Sequence, residues 1–165
     1  MPICVRANAV SKSDFKPFLE QTIYIIGVDK IALAWLDSGF YANDVMNQFE
    51  SKEIPYIIVA KFTSALVTRV IEKTKWLKAK DGVEYRSIMY QAQGWNTARR
   101  IVVIIKDSEL LTNARGKTLF PEMDDHQKYR YSAYVTTAAI SDVLVWEVYK
   151  HRVEAENQIK ELKME

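Results

Sequence analysis

A strand, turn, helix and strand in succession between residues 31 and 60 constrain the fold most. Ile31 to Leu36 is a short apolar run ending in Asp37-Ser38-Gly39, a turn signal, so it reads as a buried strand. Asn43 to Ser51 carries Val45, Met46 and Phe49 on one side, the pattern of an amphipathic helix with Asn43 as its cap. After Pro55, Tyr56-Ile57-Ile58-Val59-Ala60 is a second buried strand. Two buried strands joined through a helix make a βαβ unit, which favours a parallel sheet in an α/β fold.

On either side the patterning changes. Ser11 to Gln21 reads as a helix, with Ser11 or Ser13 as cap and Phe15, Phe18 and Leu19 at i, i+3, i+4 spacing. Downstream, Leu66 to Ile71, Lys75 to Ala79, Val83 to Ala92, Arg99 to Lys106 and Tyr129 to Thr136 read as successive strands. Asp81-Gly82 is a hairpin signal between two of them, and residues 113–117 and 121–125 read as loops. An antiparallel β segment is therefore expected after the βαβ unit. From Ser141 to Lys163 there is no Gly or Pro and a helical period is sustained, so the last element is a long helix.

Composition excludes several classes. With 165 residues, 48% of them hydrophobic and 27% charged, the chain can bury the core of one globular domain. A net charge of +2 is too small to imply nucleic acid by itself. One cysteine and two histidines rule out a disulfide framework and a Cys/His zinc site of the usual spacing. No apolar run reaches the roughly 18 residues of a membrane span. The first residues, Met1-Pro2-Ile3-Cys4-Val5-Arg6, lack the charged and apolar regions of a secretory signal. The expectation is a cytoplasmic protein with no membrane partner.

Candidate chemistry sits in two places. On a wheel of about 100° per residue, Leu144, Val148, Ala155, Ile159 and Leu162 of the terminal helix form an apolar stripe expected to pack on the sheet. Tyr149, Arg152, Glu156 and Lys163 form a second stripe roughly 80 to 90° away, beside the packing face. Taken alone, this stripe equally suits a solvated face with an Arg152–Glu156 pair at i, i+4. Asp37, at the end of the first buried strand, equally suits a local Asx-turn. Trp76 and Trp146 read as packing residues, and Arg69, Lys73, Lys75, Lys78 and Lys80 as either a DNA-tracking run or a protective edge.

The spacing Tyr149, Arg152, Glu156, Lys163 resembles the Y-R-E-K signature of a group of DDE-type insertion-sequence transposases. Leu36-Asp37-Ser38-Gly39-Phe40-Tyr41 is similar to that group's second-carboxylate motif. Gln93-Gly94-Trp95, followed by Arg99 to Ile104, resembles its insertion region, and Tyr134 to Thr137 is similar to the group's strand before the signature helix. The resemblance runs from about Ser11 to Lys163 and implies a partial RNase H-like core. Residues 11–62 would be the core part, 63–137 an inserted antiparallel β segment, and 141–165 the catalytic helix. It implies DNA transposition through Mg²⁺-dependent (Mn²⁺ in its place) phosphodiester hydrolysis and strand transfer. Asp37 and Glu156 would be catalytic carboxylates and metal ligands, because Mg²⁺ takes oxygen donors. Tyr149, Arg152 and Lys163 would hold DNA phosphates, and Trp95 would stack on an unpaired base. The implied partners are transposon-end and target DNA and a second transposase copy, in the nucleoid region of a prokaryotic cytoplasm.

The sequence departs from that family at its start. No strand bearing the first catalytic Asp is expected before Ser11; Asp14 falls in a helix and Asp29 in a connection. The chain is therefore expected to be a fragment inactive alone, with an exposed sheet edge and low stability. Acting as a non-catalytic, DNA-binding or dimerising inhibitor of a full-length enzyme is the alternative.

Overall fold

Asp37 stands at the end of the middle one of three parallel strands. A computed structural model describes residues 3–6, 14–71, 76–79, 82–107 and 129–151. The parallel strands are β1 (Ile3–Arg6), β2 (Ile31–Leu36) and β3 (Tyr56–Val59). Helix α1 (Phe15–Ile26) lies between the first two in sequence, and α2 (Asn43–Glu50) between the second and third. The βαβ unit is thus present with the expected strands. Helix α1 starts and ends later than its apolar spacing predicts, because the helix runs on to Gly27. That residue has φ 91° and donates its N–H to the Ile23 carbonyl, a left-handed stop that suits glycine.

Beyond β3 the chain forms α3 (Ser64–Ile71), then β4 (Leu77–Lys78), β5 (Val83–Tyr90), β6 (Arg99–Asp107) and β7 (Tyr129–Thr136). Helix α3 corrects the expected strand over 66–71. Its β-branched residues suggest a strand, but Leu66 and Val70, four apart, are the buried pair, which is a helical period. Thr63 Oγ1 accepts from the Leu66 N–H at 3.3 Å and closes the first turn. Strands β4 to β7 are antiparallel neighbours as expected, and β4–β5 turn at Gly82 (φ 67°). The two expected loops at 113–117 and 121–125 lie outside the described residues.

The seven strands among the described residues make one sheet in the order β1-β2-β3-β7-β6-β5-β4. One expectation changes here: a strand does precede Ser11 and pairs with the outer side of β2, which makes β1 the edge strand among the described residues. The four-residue run Ile-Cys-Val-Arg is too short and too near the terminus to announce itself by alternation.

The period of two along the strands divides the core into two layers. Leu36, Ile58, Ile101, Val103 and Val135 face α1, α2 and α3, where Phe15, Leu19, Val45, Met46, Phe49 and Leu66 complete the packing. Leu33, Trp35, Ile57, Val59, Val102 and Tyr134 face the other way, toward the last helix, α4, which is described over residues 142–151. The Leu144 N–H reaches Ser141 Oγ at 3.4 Å, so Ser141 opens α4 as expected. The wheel reading of its packing face is corrected. Val145 is fully buried, with Trp146, Val148 and Tyr149 partly so, while Leu144 is 44% exposed. The stripe on the sheet runs through Val145, Val148 and Tyr149, so Val148 packs as expected and Leu144 does not. Among the described residues no helix is long and apolar enough to cross a membrane.

Candidate active-site face

The carboxylate Asp37 follows Leu36, the last residue of β2, on extended backbone (φ −80°, ψ 178°). Its Oδ1 accepts from the Gly39 N–H at 2.7 Å and caps a 3-10 turn over Ser38–Phe40. This is the Asx-turn that the sequence permits. Gly39 is needed by space and not by φ, since a Cβ there would lie 2.8 Å from Asp37 Oδ1. The turn is anchored from below by Phe40, whose ring packs 5.4 Å from Phe15. One carboxylate oxygen is thus used locally, and the other has no partner among the described residues.

Register places Asp37 relative to α4. Leu36 pairs with Ile58, so the next row across the sheet is Asp37, Val59, Tyr134 and Val102. Continuing the alternation by one residue puts Asp37 at the end of the face that Leu33 and Trp35 share with α4. Helix α4 starts near Arg100 on β6, which donates Nη2–H to the Ile140 carbonyl at 2.8 Å and lies 3.8 Å from Asp142. Seven residues later Tyr149 packs on Tyr134 of β7, ring centroids 4.8 Å apart. The helix therefore crosses from β6 over β7 as it climbs toward the strand ends where Asp37 sits. Of the residues singled out by sequence, Asp37 and Tyr149 lie on one face toward one end of the sheet, Tyr149 above a strand two places from that of Asp37. Arg152, Glu156 and Lys163 lie outside the described residues.

Trp95 belongs elsewhere. It sits in the β5–β6 connection, beside the start of β6 and several rows below Asp37. Its half-buried ring meets Tyr41 at 5.6 Å and Tyr90 at 5.9 Å, both edge-on, and Arg99 lies over it at 5.1 Å. Those contacts give Trp95 a packing role in this connection.

Arg99 is a residue whose importance the sequence did not signal. Its side chain is 2% exposed and is spent on α2. Nε donates to Glu50 Oε1 at 2.6 Å, Nη2 to Glu50 Oε2 at 2.9 Å and to Asn47 Oδ1 at 2.7 Å, and Nη1 to Asn43 Oδ1 at 3.0 Å. The polar stripe Asn43, Asn47, Glu50 on an otherwise amphipathic helix is the signal that could have found it. Asn43 thus serves Arg99 and is not the expected helix cap; Ala42 occupies that position. Burial pushes the Glu50 carboxyl up, but hydrogen bonds from Arg99 and from Tyr56 and the Arg99 charge outweigh it and hold the pKa below the ordinary value. Burial and the neighbouring Tyr90 push the Tyr41 hydroxyl up to about 12, against a smaller lowering by the Arg99 charge. A cleft of about 400 Å³ opens beside this network, lined by Glu50, Arg99, Arg100 and Thr136. Both oxygens of Glu50 are already engaged there, and Asp37 is not part of it.

Three carboxylates around one point would fit a divalent metal. Among the described residues no group of three His, Cys, Asp or Glu side chains gathers. Asp37 fits as one hard oxygen donor with a free oxygen at a partly exposed strand end. The strand beside it, β1, carries no acidic residue. Residues 8–165 match a family model described as transposase DDE domain group 1. No curated protein matches the chain.

Proposed function

The chain belongs to the transposase DDE domain group 1 family, which implies a function in DNA transposition, and we propose that it binds transposon-end DNA through the α4 side of its sheet. In this reading the core is RNase H-like, and Asp37 and Glu156 are two of the carboxylates that hold Mg²⁺ or Mn²⁺. When bound, such ions activate an attacking oxygen and stabilise the leaving one at a phosphodiester. Tyr149, Arg152 and Lys163 hold phosphate oxygens, with Arg152 able to do so bidentately. The partners are duplex DNA and a further transposase copy, in the cytoplasm.

One observation carries the reading: the row Asp37, Val59, Tyr134 ends under Tyr149. Helical arithmetic supports the rest. On the wheel of the helix that the sequence predicts from Ser141 to Lys163, positions 152 and 156 would lie within roughly 20° of Val145. A second reading rests on β1. The strand paired with the Asp37 strand brings no carboxylate, which favours a DNA-binding or dimerising protein that does not itself cut.

Both readings are tested with purified full chain and a fluorescent duplex. Binding at low salt should weaken steeply as salt rises, and Arg152→Ala should flatten that slope by about one counterion. Absence of binding at about 50 mM salt removes the DNA reading. Mg²⁺-dependent nicking that disappears in Asp37→Ala decides for the enzyme; binding without nicking decides for the non-catalytic protein.

A further inference from the structure

We propose that the cleft of about 400 Å³ between the start of β6 and the end of β7 binds a phosphate ester. The cleft is separate from the Asp37 strand end. Arg100, in its wall, lies three strands across the sheet and two residues along from the row of Asp37, about 15 Å at the usual spacings. The site therefore does not depend on the metal reading of Asp37.

Two guanidiniums, Arg99 and Arg100, and one carboxylate, Glu50, line the cleft, which leaves one positive charge in excess. Arg99 and Glu50 are spent on each other. Arg100 is not. Of its five N–H donors one is used among the described residues, by the Ile140 carbonyl at 2.8 Å. Its Nε is buried without an acceptor, and the Asp142 carboxylate at 3.8 Å is beyond hydrogen-bond reach. The side chain is 29% exposed, so a ligand can meet it. The hydroxyls divide in the same way. Thr136 Oγ1 donates to the Tyr56 carbonyl at 2.6 Å and accepts from the Ala138 N–H at 3.0 Å. Thr137 Oγ1 accepts from the Tyr56 N–H at 3.4 Å, which leaves its own proton to give, and the exposed Thr97 hydroxyl has no partner among the described residues. The carboxylate of the cleft is thus saturated, while its free cation and two of its hydroxyls still have protons to donate. Phosphate oxygens are acceptors only, and the guanidinium fork matches their geometry. The volume is that of a small-molecule pocket and leaves room beyond the phosphate. Met89, 67% exposed, and Ala139 give an apolar wall for the esterified carbon group.

The test titrates inorganic phosphate and thymidine monophosphate into the full chain at constant ionic strength with a chelator present, followed by phosphorus NMR line width. Wild type should bind both. Arg100→Gln should bind about tenfold more weakly, the scale of a lost charge-assisted hydrogen bond. Thr97→Val alters an exposed side chain that holds nothing else and should bind several-fold more weakly. Asp142→Asn removes the carboxylate that competes for Arg100 and should bind more tightly, although it weakens the start of α4; a gain of affinity is a result that damage to the fold does not give. Lys16→Gln removes one charge from the exposed surface of α1 and should change nothing. Absence of binding at about 10 mM phosphate overturns the proposal. So does an equal loss in Lys16→Gln, or equal binding of acetate, since either makes the effect one of net charge. A duplex that displaces the bound phosphate identifies the ester as nucleic-acid backbone; a duplex that binds without displacing it identifies a free phosphate ester.

Discussion

Replacing Arg99 by methionine should destabilise the chain by about 2 to 4 kcal/mol, because the loss of a buried pair's partner costs roughly 3 to 5 kcal/mol and this pair is not wholly buried. The Arg99 side chain is 2% exposed but that of Glu50 is 28% exposed, so the carboxylate left behind can rehydrate in part. Arg99 also donates to Asn43 and Asn47, whose carbonyls face open helix surface once released. Glu50→Gln should cost a similar amount for the opposite reason: the guanidinium is the deeper partner and would stay charged. The double variant Arg99→Met, Glu50→Met should lose clearly less than the sum of the two singles, since no lone charge remains in it. Urea unfolding reads this directly. With a slope of roughly 1 to 3 kcal/mol per molar, Arg99→Met should move the midpoint down by about 1 to 2 M. Additive losses across the cycle would falsify the claim that Arg99 and Glu50 act as one unit.

Three further outcomes follow from the same contacts. The Glu50 pKa is lowered in the folded chain, so its contribution is complete above the ordinary carboxylate range and is lost as pH falls through the folded value; the urea midpoint of wild type should drop in acid more steeply than that of Glu50→Gln, and parallel acid limbs would refute the assignment. Trp95→Leu should cost about 1 to 3 kcal/mol by emptying the space between Tyr41, Tyr90 and Arg99, yet leave duplex affinity unchanged; a tenfold loss of affinity in a folded variant would restore the base-stacking role. Gly39→Ala should cost only about 1 kcal/mol, the scale of the Asp37–Gly39 hydrogen bond it breaks, because the carboxylate can swing away from the added methyl; Mn²⁺ affinity should nonetheless change, and an unchanged titration would show that the turn does not orient Asp37.

The parts of the fold that were legible in the sequence are those where local pattern and burial agree. Ile31 to Leu36 and Tyr56 to Val59 are apolar on both faces because helices cover the sheet on both sides there, and a continuous apolar run is how such strands read. Strand β7 was legible to the residue, with Tyr131, Ala133 and Val135 on one layer and Tyr134 on the other. Pattern fails where the deciding contact is far away in sequence. Ser64 to Ile71 has the β-branched composition of a strand, and only the docking of Leu66 and Val70 under the sheet selects the helix. Strand β1 is held by backbone pairing to a strand some 28 residues on, which no local alternation can announce.

The candidate site divides along the same line. Asp37 was legible because its turn is local: an Asp, a residue, and a Gly whose missing Cβ makes room for the carboxylate. The phase of α4 was not, because two stripes on that helix are both apolar enough to pack. Val145 and Tyr149 join Val148 against the sheet while Leu144 stays exposed, and the Tyr134 ring faces Tyr149. Tyr149, which the wheel puts beside the packing face, is thus among the residues that seat the helix on the sheet.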